Sequence, residues 1–267
     1  MTRHATFVAV PASVRPAPVS PSTASPFSLP RRGALALAAA LACAAGLPAH
    51  AAVINFDAYG GLVGDSDAIV ESGYQVGFFS NATGAQPGDF VGAFIDGSDP
   101  TSCLNGACPV NNGSTYYSVV NDSFIDIISD TAGKAFRIGG FDASFIGASA
   151  ALNSYPAVAG LVRIQGFFAA GGSATETYQL AGPGANGFNF GHFNPSTAFG
   201  NLAFVEAVMF GFVCNSLGNC SAFSTDTAQF GVDNLSLLDV ATVPEPSSAL
   251  LLGLGLAGLL AFARRRA

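Results

Sequence analysis

The amino-acid sequence predicts an all-β protein, a jelly-roll-like β-sandwich that lies between a cleavable signal peptide and a C-terminal transmembrane helix. In the middle of the chain, short β-branched and aromatic stretches alternate with turn residues, and no long window has a helical period. An Ala- and Leu-rich segment lies near the N-terminus, and an uncharged segment precedes three arginines at the C-terminus. We therefore divide the chain into residues 1–51, 52–241 and 242–267.

The first 51 residues contain the parts of a secretory signal peptide after a Pro-, Ser- and Ala-rich extension. Arg31-Arg32 form a basic start, residues 33–47 form the apolar part, and Ala49-His50-Ala51 has the small-residue pattern of a cleavage site. We expect cleavage after Ala51, with the secretion translocase as a partner. The paired arginines leave the twin-arginine route open, and Cys43 leaves a lipoprotein site open.

The body of the chain is predicted to consist of strands whose core is filled by phenylalanine. The chain has 23 Phe and no Trp. The alternation within 162–165 is typical of a half-buried strand. The predicted strands are 53–56, 74–79, 90–95, 115–120, 124–128, 135–145, 158–168, 175–180, 188–193, 202–213 and 229–237.

The last predicted strand changes its alternation midway. Phe230 and Val232 would point to one face, and Leu235 and Leu237 to the other. A slip of one residue at Asp233-Asn234 would bring both pairs inward, so we predict a β-bulge there. A sheet that is buried on both faces would explain the same pattern.

The expected mature body is strongly acidic. It has three basic and sixteen acidic residues, a formal charge of −13. Such a charge repels nucleic acid and anionic lipid, so we expect no nucleic-acid partner. It would either attract divalent cations or serve solubility.

Four cysteines remain after signal cleavage, and their spacing favours two local disulfides. We predict Cys103–Cys108 and Cys214–Cys220, because each pair encloses a short Asn- and Gly-containing segment. A zinc site is the alternative, but it lacks the usual two-residue spacing and nearby histidines. Export to an oxidising compartment favours disulfides.

The C-terminus combines three consecutive signals. Val243-Pro244-Glu245-Pro246 breaks regular structure, an apolar segment of about residues 247–263 follows, and Arg264-Arg265-Arg266 holds the end on the cytoplasmic side. The uncharged part, 249–263, is short for the roughly 30 Å hydrocarbon core of a bilayer. This length suits a processing signal better than a permanent anchor, although a single-span anchor on a Pro-rich stalk is the alternative.

These residues resemble the PEP-CTERM sorting domain of bacterial surface proteins. The resemblance implies export, transient membrane insertion through the C-terminal helix, and processing by an exosortase. The expected location is the cell envelope or surface, or an extracellular matrix such as the exopolysaccharide of a biofilm.

A second resemblance involves the last strand of the body. Gln229-Phe230-Gly231-Val232-Asp233 is similar to the closing strand of a PEP-CTERM subgroup with a Gln-Phe-x-x-Asp pattern. In similar carbohydrate-binding jelly rolls, an acidic residue near the first strand and an Asp on the last strand hold a structural calcium ion. Carried over, these residues are Asp57 and Asp233, and calcium is the one cofactor that the resemblance implies. The alternative is that Asp233 and Asn234 cap the bulge through backbone hydrogen bonds.

Catalytic motifs are missing from the sequence. A Ser-His-Asp triad would have to use His192, and no Gly-x-Ser-x-Gly elbow accompanies it. A glycosidase would have to combine two of Glu71, Glu176 and Glu206, which nothing in the sequence brings together. We therefore expect a non-catalytic, exported surface or matrix protein.

Two other functions are considered. The first alternative is a carbohydrate-binding module that grips matrix polysaccharide through exposed aromatics such as Tyr116, Tyr117 or Tyr155. A surface glycoside hydrolase that uses Glu176 or Glu206 is the less favoured alternative.

Overall fold

The computed structural model describes residues 51–99, 102–103, 106–120, 122–148, 152, 154–223, 229–240 and 255. Within them, short strands alternate with turns as the sequence predicts. In chain order the strands are β1 (Ala51–Ile54), β2 (Gly61–Gly64), β3 (Asp67–Glu71), β4 (Tyr74–Ser80), β5 (Phe90–Asp96), β6 (Thr115–Val119), β7 (Ser123–Ser129), β8 (Phe136–Phe145), β9 (Val158–Phe167), β10 (Ser173–Ala181), β11 (Gly191–Phe193), β12 (Glu206–Cys214), β13 (Cys220–Ala222) and β14 (Phe230–Asp239). A short helix, α1 (Thr197–Gly200), lies between β11 and β12 and is capped by the Ser196 hydroxyl, which accepts from the Phe199 N–H at 3.2 Å.

The strands form two antiparallel sheets, which confirms the all-β class. The first sheet has the order β11-β8-β14-β6-β5-β2, with β1 paired to β14. The second sheet has the order β10-β9-β12-β7-β4-β3, with β13 paired to β12. The finer jelly-roll assignment stays a prediction.

All eleven predicted strands coincide with strands of the structure, within a few residues at their ends. The strands β2, β3 and β13 were not predicted. They are three to five residues long, so each offers only a short pattern, even though β3 contains the β-branched residues Ile69 and Val70.

Phenylalanine fills the space between the sheets, as the composition predicts. Apolar side chains from both sheets form one continuous buried cluster. Its fully buried rings include Phe56, Phe78, Phe136, Phe141, Phe145, Phe188, Phe204, Phe230, Tyr74 and Tyr117. Many of these rings pack edge to face, such as Tyr74 against Phe136 with centroids 5.4 Å apart.

The predicted bulge in β14 is confirmed. The pairing of β14 with β8 shifts between Asp233 and Ser236, and Asn234 has the positive φ of 49° that accompanies the slip. Phe230, Val232, Leu235 and Leu237 consequently all lie in the buried cluster.

Both predicted disulfides are present, Cys103–Cys108 and Cys214–Cys220. Cys103 and Cys108 lie in a second, smaller apolar cluster with Ile95, Tyr116 and Phe190. Cys214 and Cys220 join β12 to β13 across their turn. In the described part of the chain, each disulfide therefore closes a short local loop, as the cysteine spacing indicates.

Candidate functional site

The second sheet has a row of phenylalanines on the side that faces away from the core. Successive strand residues point to opposite sides, so the core residue Phe78 is followed by outward Phe79 on β4. In the same way, Phe124 precedes the core residue Ile125 on β7, and Phe210 follows a core residue on β12. The register places Phe79 opposite Phe124, and Phe124 opposite Phe210, so the three rings form a line across the strands.

Further rings extend this line into an apolar patch. The rings of Phe79 and Phe124 stack with centroids 5.6 Å apart. The ring centroid of Phe210 lies 5.5 Å from that of Phe212 and 5.2 Å from that of Phe223. We call the outer side of the second sheet that carries these five rings the aromatic face. All five rings are partly exposed, and none of them belongs to either buried apolar cluster.

Polar side chains continue the row beyond Phe210. The register places Arg163 opposite Phe210, and Thr177 opposite Arg163. The Arg163 Nε–H donates to the Thr177 hydroxyl at 3.0 Å, and the guanidinium carbon lies 4.7 Å from the centre of the Phe212 ring. Five strands at a spacing of about 4.8 Å make the row about 19 Å long. The aromatic face therefore combines flat rings with hydroxyl and guanidinium groups.

Two carboxylates lie on the same face. Asp126 on β7 faces Val208 on β12. Glu206, two residues before Val208, points to the same side of the sheet. The Asp126 Oδ1 atom is buried and has no hydrogen-bond partner in the structure. Neither carboxylate forms an ion pair with a basic residue that the structure describes.

The environment of Asp126 opposes its ionisation. Burial and, second, the negative charge of Glu206 raise the pKa of Asp126 to about 6, while the backbone N–H of Ile127 acts in the opposite direction. A partly buried carboxylate with a raised pKa and no described cation beside it marks a candidate functional site.

The residues predicted to bind calcium lie at the first sheet and are close enough to interact. The Asp57 carboxylate accepts from the Thr115 N–H at 3.1 Å. Asp233 is fully buried, and its Oδ2 accepts from the Asn112 amide at 2.8 Å and from the Ser114 hydroxyl at 2.7 Å. Burial raises the pKa of Asp233, hydrogen bonds lower it, and the charge of Asp57 raises it further.

This arrangement fits a calcium ion poorly. Calcium takes six to eight oxygen ligands, and among the described residues no group of three acidic, His or Cys side chains is placed to hold a metal. The second Asp233 oxygen accepts from the Asn234 N–H at 2.7 Å, which is the predicted capping interaction. Hydrogen bonds thus use both Asp233 oxygens, and a calcium site at Asp57 and Asp233 stays a prediction.

His192 lies beside this cluster without a nucleophile. Its Nδ1 is 2.7 Å from Asp142 Oδ1, and its Nε2 is 3.3 Å from Asn194 Oδ1. The other Asp142 oxygen accepts from the Asn234 amide at 2.8 Å. No serine hydroxyl is among the hydrogen-bond partners that the structure gives His192, so the geometry provides a structural link between β11, β8 and β14.

The three glutamates of residues 52–243 do not come together. Glu71 lies on β3 and Glu176 on β10, which are the two edge strands of the second sheet. Glu71 accepts from the backbone N–H groups of Asn55 and Phe56, and Glu176 accepts from that of Ser196. Glu206 has a carboxylate neighbour, Asp126, which sequence reasoning missed. Alternation along β7 could have placed Asp126 outward, but nothing in the sequence pairs β7 with β12.

Two of the three tyrosines that were expected to be exposed, Tyr116 and Tyr117, are buried, and the expectation was wrong for them. Tyr117 is buried between the sheets, and Tyr116 is buried in the smaller apolar cluster against Phe190. Tyr155 is partly buried against Phe145 and Phe188. Both faces of β6 are covered, so residues of either parity are buried there. The aromatic face instead presents five partly exposed phenylalanine rings on one side of the second sheet.

The predicted signals at the two ends lie mostly outside the described residues. Val243, Pro244, Glu245, Pro246, Arg264, Arg265, Arg266 and nearly all of 247–263 are in this group. Ala51 is the first residue of β1 and pairs with Leu238. Signal cleavage after Ala51 is not tested by this pairing and stays a prediction. Among the residues that the structure describes, no helix is long and apolar enough to cross a membrane.

The β-sandwich and the C-terminal sequence together define a class of protein. Residues 242–266 match the PEP-CTERM protein-sorting motif. The chain therefore combines two packed antiparallel β-sheets with a C-terminal PEP-CTERM sorting motif, and this motif indicates an exosortase-sorted, exported protein of the cell envelope or surface. No curated protein matches the chain.

Solved structures with a similar fold show little sequence identity to the chain. A DUF4465 family protein from Bacteroides ovatus is 11% identical with a TM-score of 0.37, covering 72% of this chain and 100% of its own. A family 29 carbohydrate-binding module is 10% identical with a TM-score of 0.35, covering 72% of this chain and 89% of its own. TmCBM61, solved with β-1,4-galactotriose, is 9% identical with a TM-score of 0.26, covering 70% of this chain and 94% of its own. Similarity at this level carries no argument about ligand or activity.

Proposed function

We propose that this chain is a non-catalytic surface or matrix protein, processed by an exosortase, whose body binds extracellular polysaccharide through the aromatic face. The aligned rings of Phe79, Phe124 and Phe210 are the observation that carries this proposal. Aromatic rings have a negative face, and the C–H groups on the flat side of a sugar ring carry the complementary positive charge. A line of rings across several strands suits an extended chain of sugars.

The polar groups beside the rings suit the hydroxyl groups of a sugar. Thr175, Thr177 and Gln179 on β10 are exposed, and Gln165 on β9 lies on the same side of the sheet. Hydroxyl and amide groups both donate and accept hydrogen bonds, as sugar hydroxyls do. These groups would orient a ligand that the rings hold by contact.

A binding experiment tests the proposal. The purified protein should bind members of a panel of soluble and insoluble polysaccharides, as measured by calorimetry and by co-sedimentation. Phe124→Ala and Phe210→Ala should each weaken binding by about 5- to 30-fold, because stacking contacts of one ring contribute about 1–2 kcal/mol. Leu62→Ala is the matched control, since Leu62 is a 71% exposed apolar residue on the first sheet. Equal loss in the control, or no binding to any polysaccharide, would contradict the proposal.

A further inference from the structure

The ligand of the aromatic face can be specified further from the charge around Asp126. Its Oδ1 atom is shielded from solvent and unpartnered, although ionised oxygens in proteins are normally hydrogen-bonded or paired. Its neighbours on β7 are Phe124 and Ile128, and across the strands it faces Gly77 and Val208. These neighbours offer no side-chain donor, so within the described residues only the backbone N–H of Ile127 favours the charged form of this carboxylate.

A second negative charge lies beside the first. Glu206 lies two residues before Val208 on β12 and on the same face. Its negative charge raises the pKa of Asp126. Two uncompensated carboxylates side by side are unfavourable for the folded protein. They become favourable when a cation lies between them.

None of the three basic residues that the structure describes supplies this cation. Lys134 pairs with Asp239 at 2.8 Å, and Arg163 contacts Phe212 and Thr177. Arg137 belongs to β8, in the other sheet. Because the mature body has a formal charge of −13, it attracts cationic ligands and repels acidic ones.

The aromatic rings point to an organic cation. Ammonium and guanidinium groups are attracted to aromatic faces, and Arg163 over Phe212 shows this interaction on the same side of the sheet. A divalent metal would need several more oxygen ligands, and the described residues offer no third acidic group there. An ammonium group needs only a few acceptors.

We propose that the aromatic face binds a polysaccharide whose sugars carry free amino groups, with one ammonium group seated between Asp126 and Glu206. The inference rests on the proposed function, and it names the class of glycan. The rings hold the sugar chain by contact, and the two carboxylates select units that carry an amine. An N-acetylated unit has no charge, and a uronic-acid unit has the wrong one.

Calorimetry with three oligosaccharides of equal length tests this inference at about pH 6.5. The probes are a glucosamine oligomer, its fully N-acetylated form, and a neutral glucose oligomer. The purified protein should bind the glucosamine oligomer at least about 10-fold more tightly than either of the others. Asp126→Asn and Glu206→Gln should each remove most of this preference, so that the three oligomers bind the variant with similar affinity. Asp130→Asn is the matched control, because it removes one charge at the exposed end of β7, outside the aromatic face.

The outcomes separate the inference from the function on which it rests. If all three oligomers bind equally and Asp126→Asn has no effect, the amine preference is overturned and polysaccharide binding stands. If none binds, both proposals fail. If a lysine oligomer binds as tightly as the glucosamine oligomer and Phe124→Ala weakens neither, the site recognises charge alone and the glycan assignment is overturned.

Discussion

The Tyr74 hydroxyl donates a 2.8 Å hydrogen bond to the Asp239 carboxylate and so connects the two sheets. Tyr74 lies on β4 in the second sheet, and Asp239 ends β14 in the first. The Lys134 ammonium group donates to the other Asp239 oxygen, also at 2.8 Å. Burial and this hydrogen bond raise the pKa of Tyr74, so the phenol stays a donor across the physiological range.

Removing this link should destabilise the protein. Tyr74→Phe keeps the buried ring but leaves Asp239 with one donor fewer, and we expect a loss of about 1–2 kcal/mol in the free energy of unfolding. Urea denaturation measures it. Tyr178→Phe is the control, because the buried Tyr178 hydroxyl lies near Glu176 without a hydrogen bond of good geometry. An equal loss in both variants would contradict a specific role for the Tyr74–Asp239 bond.

The bulge in β14 depends on the backbone of Asn234. Its φ of 49° is in the left-handed region, which costs most residues about 1 kcal/mol but costs Gly little. Asn234→Ala and Asn234→Gly both remove the amide that donates to Asp142, so they differ mainly in backbone preference. We expect Asn234→Ala to be less stable than Asn234→Gly by about 1 kcal/mol in thermal or urea unfolding. Equal stability would show that the bulge does not require this conformation.

The Asp126 carboxylate should reduce stability at neutral pH. Its pKa is about 6 in the folded protein, against an ordinary value of about 4. Between these values the folded state binds more protons than the unfolded state, so this contribution to stability falls as the pH rises from about 4 to about 6. Asp126→Asn removes the charge and should raise the free energy of unfolding by about 1–2 kcal/mol at about pH 7.5, after allowance for partial exposure.

Near pH 4 the same substitution should change stability little, because the Asp126 carboxyl is then largely protonated. Urea unfolding at the two pH values measures the difference. Asp130→Asn removes one charge outside the aromatic face and reports the effect of net charge alone. An equal gain from Asp126→Asn at both pH values would argue against the raised pKa.

The sorting motif should control the mass of the mature protein. Replacing Pro244, Glu245 and Pro246 together by Ala removes the residues that precede the apolar segment in the matched motif. We expect the variant to retain the C-terminal segment completely, and the wild-type protein to lose it, in intact-mass measurements of envelope and released fractions. Ser247→Ala with Ser248→Ala is the control and should be processed normally. A wild-type protein that keeps Arg264–Arg266 would contradict exosortase processing.

The sequence by itself determined the features that depend on near neighbours along the chain. Short apolar stretches identified most strands, the change of alternation at Asp233-Asn234 identified the bulge, and close spacing identified both disulfides. The sorting motif was also recognisable, because its parts are consecutive. Each of these features is a local consequence of residue type and order.

Only the tertiary structure decided the aromatic face and the burial of the tyrosines. A strand's alternation shows which residues share a side, but it does not show which strand lies next to it. Asp126 and Glu206 become neighbours because β7 pairs with β12, which is distant along the chain, and the same pairing aligns Phe124 with Phe210. Tyr116 is buried because a cystine-bearing loop covers the outer side of its strand. Long-range pairing and covering loops are properties of the whole fold, so they could not be derived from local pattern.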